Sequence, residues 1–231
     1  MTSREFHERL SRRARKANVS LTAPVVDRLE AYYRLLARWN TKVNLTALQL
    51  EELSDPAVDR LLVEPLAGAR FVVDSPLVWF DLGSGGGSPA IPLKIVRPAA
   101  RLTMVESKVR KAAFLREAVR TLGLEHASVE NARFEDIAAR VSTTGTAELV
   151  TVRAVKTDKV LFRASRALLR EGGRLILFSF SGSKIAAPPG FQLLEAARFS
   201  GPGSSQIITC VRAETSEDVP RETKGTSSQT R

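Results

Sequence analysis

From Thr22 onward, apolar side chains recur at Val25, Val26, Leu29, Tyr32, Tyr33, Leu36 and Trp39. This i, i+3, i+4 spacing predicts an amphipathic helix with Thr22 as its N-cap. The same spacing places Trp39, Tyr32 and Tyr33 in a core rather than against a ligand. A shorter helical stretch is expected over 55–66, after a loop over 41–48. Residues 4–16, crowded with Arg and Lys, form a further helix that either lies on a polyanion or is simply solvated. Residues 1–75 therefore read as a helical cap whose apolar face needs a partner.

After Pro76 the pattern changes to short apolar runs alternating with helical periodicity, the signature of βαβ units. Strands are expected over 77–82, 101–106, 126–130, 148–153 and 174–180. Helices are expected between them over 89–96, 108–122, 134–141 and 158–169, with Gly123 ending the second and Gly172 and Gly173 the last. Runs at 191–199 and 206–211 flank Gly201-Pro202-Gly203 and read as an antiparallel hairpin at the sheet edge. The whole is an α/β domain over 76–212 with a doubly wound, mainly parallel seven-stranded sheet. Residues 213–231 are rich in Ser, Thr, Glu and Lys, carry too little apolar surface to offset the entropy of ordering, and read as a disordered tail.

A hydrophobic fraction of 43% and a charged fraction of 26% are those of an ordinary globular protein. Lys and Arg outnumber Asp and Glu by 35 to 25, a net charge of +10, which favours a polyanionic partner such as RNA or an anionic membrane surface. Cys210 is the only cysteine, so no intrachain disulfide forms and a cytoplasmic address is expected. His7 and His126 stand far apart with no zinc-like spacing, and no metal is expected. No run is apolar and long enough for a signal peptide or a membrane span, so no membrane attachment is expected. The chain is expected to act as a monomer.

The sharpest chemical signal is Val78-Trp79-Phe80-Asp81-Leu82-Gly83-Ser84-Gly85-Gly86-Gly87-Ser88-Pro89, a buried strand running into a glycine-rich turn and then a helix. Gly83, Gly85 and Gly87 permit positive φ and close approach of a ligand, while Ser88 as N-cap and Pro89 as the first helical residue start the helix. Glu106, about 20 residues past the loop and at the end of the next strand, is placed to meet the two hydroxyls of a nucleoside ribose. Counting from Gly83, the dinucleotide pattern Gly-x-Gly-x-x-Gly breaks at Ser88. Asp81 puts a negative charge where a pyrophosphate would be repelled and a cationic cofactor welcomed. S-adenosylmethionine is favoured, with a nicotinamide cofactor or an empty fold as alternatives.

The chain resembles the ribosomal RNA small-subunit methyltransferase G family, also called glucose-inhibited division protein B. The resemblance runs from about Leu29 to Val211 and is carried by Trp39-Asn40-Thr41-Lys42-Val43-Asn44-Leu45-Thr46, by the run from Asp81 to Leu93, and by Arg153-Ala154-Val155. It implies a sheet of the class I methyltransferase type, S-adenosylmethionine as cofactor, and methyl transfer to N7 of a guanine in small-subunit ribosomal RNA or the 30S particle. By the same resemblance, Gly83 and Ser88 belong to the cofactor loop, and Glu106, Ser107 and Lys108 to the ribose side. Phe134 and Glu135 belong to the adenine side, and Arg153 to the mouth beside the reacting methyl as the catalytic candidate.

Read without the resemblance, Phe134 is equally a core aromatic and Arg153 a solvated strand-end cation. Candidate RNA contacts are Arg12, Arg13, Arg15, Lys16, Lys42, Arg60 and Lys156, and Asn44 and Thr46 either face the cleft or only turn the chain. The chain departs from the family at Arg60-Leu61-Leu62-Val63-Glu64-Pro65, where Arg-His and then Asp-Ser are usual. It departs also at Ser181-Gly182, in place of Lys-Gly, and at Gly86 and Ala90. These changes lie toward the expected substrate. They keep two further functions open: a diverged methyltransferase acting on another RNA or a small molecule, and a non-catalytic RNA-binding module.

Overall fold

The computed structural model describes residues 1–180, 187, 189–199 and 205–212. The expected turn at Gly201-Pro202-Gly203, the Ser181-Gly182 departure and the expected tail over 213–231 lie outside the described residues.

Helix α1 (Ser3–Lys16) opens with a capping box between Thr2 and Glu5 and buries Phe6, Leu10 and Ala14. Helix α2 (Ala23–Asn40) buries Val26, Leu29, Tyr32, Tyr33, Leu35 and Leu36, the face its spacing predicts. Thr22 occupies the N-cap position but its side chain makes no capping bond. Trp39 meets Phe114 edge-on, with ring centroids 5.8 Å apart, so the three aromatic residues of this helix pack inward. The basic face of α1 is largely used within the protein. Arg12 donates to Asp55 at 3.0 Å and Arg13 to Asp59 at 2.7 Å, which ties α1 to the next helical segment.

That segment differs from a plain helix. It runs through α3 (Asp55–Val58), a π turn (Asp59–Val63), α4 (Glu64–Gly68) and a 3-10 turn (Ala69–Phe71). The Glu64 N–H reaches back five residues to Asp59, and Pro65 has no N–H to donate. The carbonyl of Arg60 is thereby left without a helical partner, and that of Leu61 without its α-helical one. Both are taken by the α/β domain: Ser88 Oγ donates to Leu61 O at 2.9 Å, and Arg153 Nη1 donates to Arg60 O.

The sheet has the order β3-β2-β1-β4-β5-β7-β6, with β1 (Val78–Leu82), β2 (Arg101–Val105), β3 (Ala127–Glu130), β4 (Ala147–Arg153) and β5 (Leu169–Phe180) parallel. β7 (Ser205–Arg212) is antiparallel to both β5 and β6 (Phe191–Phe199), the predicted edge hairpin. Alternation along β1 sends Trp79 to one core with Leu29, Leu36 and Phe114, and Phe80 and Leu82 to a second with Ile137, Leu161 and Leu168. Helices α2, α5 (Ala90–Val96) and α6 (Val109–Thr121) thus cover one face, and α7 (Phe134–Ala138) and α8 (Lys159–Leu168) the other. The chain leaves β1 for β2 on one side while β4 returns on the other. This opens a crevice at the carboxyl ends of β1 and β4, the place where open α/β sheets bind ligands.

Two boundaries differ from expectation. Helix α7 ends at Ala138, and the Thr143 hydroxyl closes the following turn onto Ile137 O. Gly172 and Gly173 do not stop α8, which ends at Leu168. They lie in β5 where its register with β4 shifts, and a Cβ at Gly173 would stand 2.8 Å from Arg170 O and 3.0 Å from Ala147 O. The shift in register requires that close backbone approach.

Candidate cofactor and substrate cleft

β1 delivers the glycine loop to the crevice. Gly83 and Ser84 both donate to Val105 O, at 2.9 and 3.1 Å, which pins the loop over the end of β2. Gly83 has φ +72, and a Cβ there would lie 2.5 Å from Val155 Cγ2, so only glycine fits. Gly85 has φ +53 but nothing nearer than Gly83 O at 3.8 Å. Its side faces open space, as a loop that approaches a ligand requires. On the other side, the Tyr32 hydroxyl donates to Gly86 O at 2.7 Å, binding the cap to the loop. Ser88 is not the N-cap of α5, which starts at Ala90 with Pro89 before it. Its hydroxyl donates to Leu61 O instead, and so is turned away from the helix.

Glu106 follows β2 directly. Its Oε2 accepts from Gly85 N at 2.9 Å and its Oε1 from Lys108 N at 2.8 Å. The carboxylate is thus held at a fixed angle by the glycine loop and by the start of α6, with further lone pairs on both oxygens.

These groups line one cleft of about 1270 Å³. Of the residues singled out from sequence, Asn44, Thr46, Arg60, Gly83, Gly85, Ser88, Glu106, Ser107, Lys108, Phe134, Glu135 and Arg153 line it, as do Arg13 and Lys16. The others do not. Gly87 packs against Ile91, with Cδ1 2.4 Å from where its Cβ would be. Lys156 is exposed beside Asp158 at 3.7 Å, outside the cleft. Asp81 is buried beneath the loop, 1% exposed. Arg15 donates to Ser11 O within its own helix, and neither it nor the exposed Lys42 lines the cleft. Asn40, missed as a site residue, organises the wall: its Oδ1 accepts from Leu45 N at 2.9 Å and Thr46 N at 3.0 Å. The signal was its place in the Trp39 to Thr46 motif.

Arg153 is a buried cation and not a solvated one. Its Nη1 donates to Arg60 O and, at 3.0 Å, to Ser88 Oγ, while Nη2 lies 3.3 Å from Glu64 Oε2. The guanidinium also sits 4.7 Å from the centre of the Phe178 ring. Burial pushes its pKa down to about 10, opposed by the Glu64 charge, so it stays protonated near neutrality. Glu64 accepts from Arg60 Nη1 as well, at 3.1 Å, making an Arg60–Glu64–Arg153 cluster on the wall.

Asp81 accepts from Thr151 Oγ1, which itself accepts from Trp79 Nε1 at 2.9 Å. Burial raises the Asp81 pKa to about 6, against the opposing hydroxyls of Ser84 and Thr151. A carboxyl that holds its proton more tightly when folded stabilises the fold most in acid. That contribution is lost as pH rises from about 4, the unfolded value, through about 6. Asp81→Asn is therefore expected to gain stability relative to wild type by about 3 kcal/mol between about pH 4 and pH 7. Urea denaturation across that range reads the difference, and an offset independent of pH would show an Asp81 with ordinary acidity.

Among the described residues, no group of three or more His, Cys, Asp and Glu is placed to hold a metal ion, and no helix is long and apolar enough to cross a membrane.

The family described as GidB, rRNA small subunit methyltransferase G, matches residues 26–184. A "Ribosomal RNA small subunit methyltransferase G" of Stenotrophomonas maltophilia (strain K279a) is 40% identical over 192 residues, covering 81% of this chain and 85% of that protein. The protein of the same name from Streptococcus pyogenes serotype M12 is 32% identical over 176 residues, covering 76% of this chain and 72% of its own length. Among solved structures, a SAM dependent methyltransferase from Aquifex aeolicus aligns with a TM-score of 0.54 at 12% identity, over 68% of this chain and 93% of that one, a likeness of fold. With a family match through the cap, the glycine loop and Arg153, and relatives similar along most of its length, the chain belongs to the rRNA small subunit methyltransferase G family.

Proposed function

We propose that this protein methylates N7 of a guanine in small-subunit ribosomal RNA, in the cytoplasm, with S-adenosylmethionine held by the glycine loop, Glu106 and Phe134. The observation that carries this reading is the convergence of these residues on one cleft with the Asn44 to Thr46 loop and the Arg60–Glu64–Arg153 cluster. Its volume of about 1270 Å³ exceeds the range of roughly 300–1,000 Å³ usual for a single small ligand, which leaves room for a base beside the cofactor. The residues suit an adenosyl group: Gly85 leaves open space, Glu106 offers fixed acceptors to ribose hydroxyls, and Phe134 an apolar ring. Bound there, S-adenosylmethionine supplies an electrophilic methyl group.

Guanine N7 carries its lone pair in the base plane, so the chain needs no general base. Its own residues have to orient and exclude water, an effect that reaches about 7–11 kcal/mol in the best model systems. Transfer of labelled methyl to small-subunit RNA or 30S particles, followed by nucleoside analysis, tests the reading. The expected product is 7-methylguanosine. A different methylated nucleoside points to the diverged-substrate reading, and RNA binding without S-adenosylmethionine binding to a non-catalytic module.

The RNA itself would meet the cleft mouth. Among the described residues, Lys16, Lys111 and Arg133 line it with no hydrogen bond or ion pair to any other side chain, whereas Arg13, Arg60 and Arg70 on the same wall are paired. Changing all three to Gln is expected to reduce the slope of log affinity against log salt by about two to three. Changing Arg101, Arg116 and Arg163 to Gln removes the same charge outside the cleft and is expected to alter the slope by less than about one. Filter binding over a KCl series reads both, and equal slopes would leave the mouth without a special role.

A further inference from the structure

Glu64 has an oxygen that the structure does not use. The residue is 7% exposed and lines the cleft. Both of its guanidinium partners, Arg60 and Arg153, bind the same oxygen, Oε2. Oε1 accepts no hydrogen bond among the described residues, yet it is not sealed from solvent. A buried carboxylate costs free energy unless its lone pairs are satisfied, and this one, on the wall of the cavity that also contains the glycine loop and Glu106, leaves Oε1 unbonded. The two guanidiniums hold it in place, and a carboxylate offers acceptors only.

We infer that Glu64 is the guanine-reading residue of the cleft, with Oε1 accepting from the exocyclic 2-amino group of the target base. This rests on the guanine-N7 reading above. A base taken out of its stack is read by hydrogen bonds to its Watson–Crick edge. In guanine that edge is remote from N7, so it can be held while N7 faces the cofactor side. The 2-amino group is the donor that separates guanine from adenine, and so is the group a specificity site has reason to meet. Adenine, like inosine, carries only C2–H at that position and offers the carboxylate no N–H donor there. Leu61, where the family carries His, is buried at 6% exposed and has no polar group to do the reading, and of the two carboxylates on this part of the wall Asp59 gives both oxygens to Arg13, whereas Glu64 keeps Oε1 unbonded. Its contact with Arg60 and Arg153 also makes it a positioning residue for them, and the experiment separates the two roles.

Methyl transfer is measured to small-subunit RNA carrying guanosine or inosine at the target nucleotide; inosine keeps N7 and N1–H and lacks only the 2-amino group. Wild type is expected to lose tenfold or more in kcat/KM with inosine. Glu64→Gln retains an acceptor for the arginines and is expected to be slower on guanosine, with the guanosine-to-inosine ratio reduced to twofold or less. Glu64→Asp, which shortens the reach, is expected to fall between them. Inosine and guanosine methylated equally by wild type would overturn the inference even if neither variant folds. A tenfold ratio that persists in Glu64→Gln would also overturn it, leaving Glu64 only as a support for Arg153. Absence of 7-methylguanosine from wild type on guanosine RNA would overturn the guanine-N7 reading and this inference together.

Discussion

Arg153→Met is expected to lower the unfolding free energy by about 3–5 kcal/mol, the cost of breaking a buried ion pair by removing one partner. Arg153 and Glu64 have side chains only 7% and 9% exposed. The loss strands the carboxylate with Arg60 alone and leaves the Arg60 carbonyl without its donor. Arg60→Met is expected to cost about 1–3 kcal/mol, since Glu64 then keeps the better-buried guanidinium. Adding Glu64→Gln to Arg153→Met is expected to return part of the loss, because the uncompensated charge is gone; neighbours that share one network are not additive. Urea denaturation of the three variants and the double variant checks this. A loss below about 1 kcal/mol for Arg153→Met, within the range of a surface pair, would mean that the cluster is solvated in solution.

The second large effect is on cofactor affinity. Glu106→Ala is expected to weaken S-adenosylmethionine binding about tenfold to a hundredfold, or about 1.4–2.8 kcal/mol. Charge-assisted bonds to ribose hydroxyls are worth roughly 1.5–3 kcal/mol each. The carboxylate also sets the loop, since it takes the N–H groups of Gly85 and Lys108. Glu106→Gln is expected to be nearly as weak, because one half of the amide would point a donor at a backbone donor. Calorimetric titration with S-adenosylmethionine reads the affinity, and circular dichroism checks that the fold persists. Unchanged affinity in Glu106→Ala would remove this residue from the binding site.

The two variants probe residues that differ in how far they could be understood from sequence. Glu106 was legible because its environment is local: a strand ends, a helix starts three residues later, and the glycine loop lies on the adjacent parallel strand, whose register places Leu82 beside Val105. Arg153 was legible as a strand end but not as a buried cation, because its carboxylate partner is 89 residues away in sequence. Asp81 looked like a ligand-facing charge beside the first glycine. The strand turns it under the loop, where Thr151 from β4 receives it.

By itself the sequence determined the helical cap, the seven strands in their parallel and hairpin parts, and the glycine turn with its following carboxylate. Periodicity and turn chemistry act over a few residues, and each of these features is built from such short-range rules. Only the tertiary structure decided which charges remain available. Arg9, Arg12 and Arg13 of α1 are consumed by Asp55 and Asp59, while Lys16, Lys111 and Arg133 have no side-chain partner among the described residues at the mouth. It alone also decided that Pro65 and the π turn before it release two carbonyls, and that Ser88 and Arg153 capture them. A side chain's electrostatic role depends on partners brought together by folding, through distances of a few ångströms that no local pattern of residues encodes.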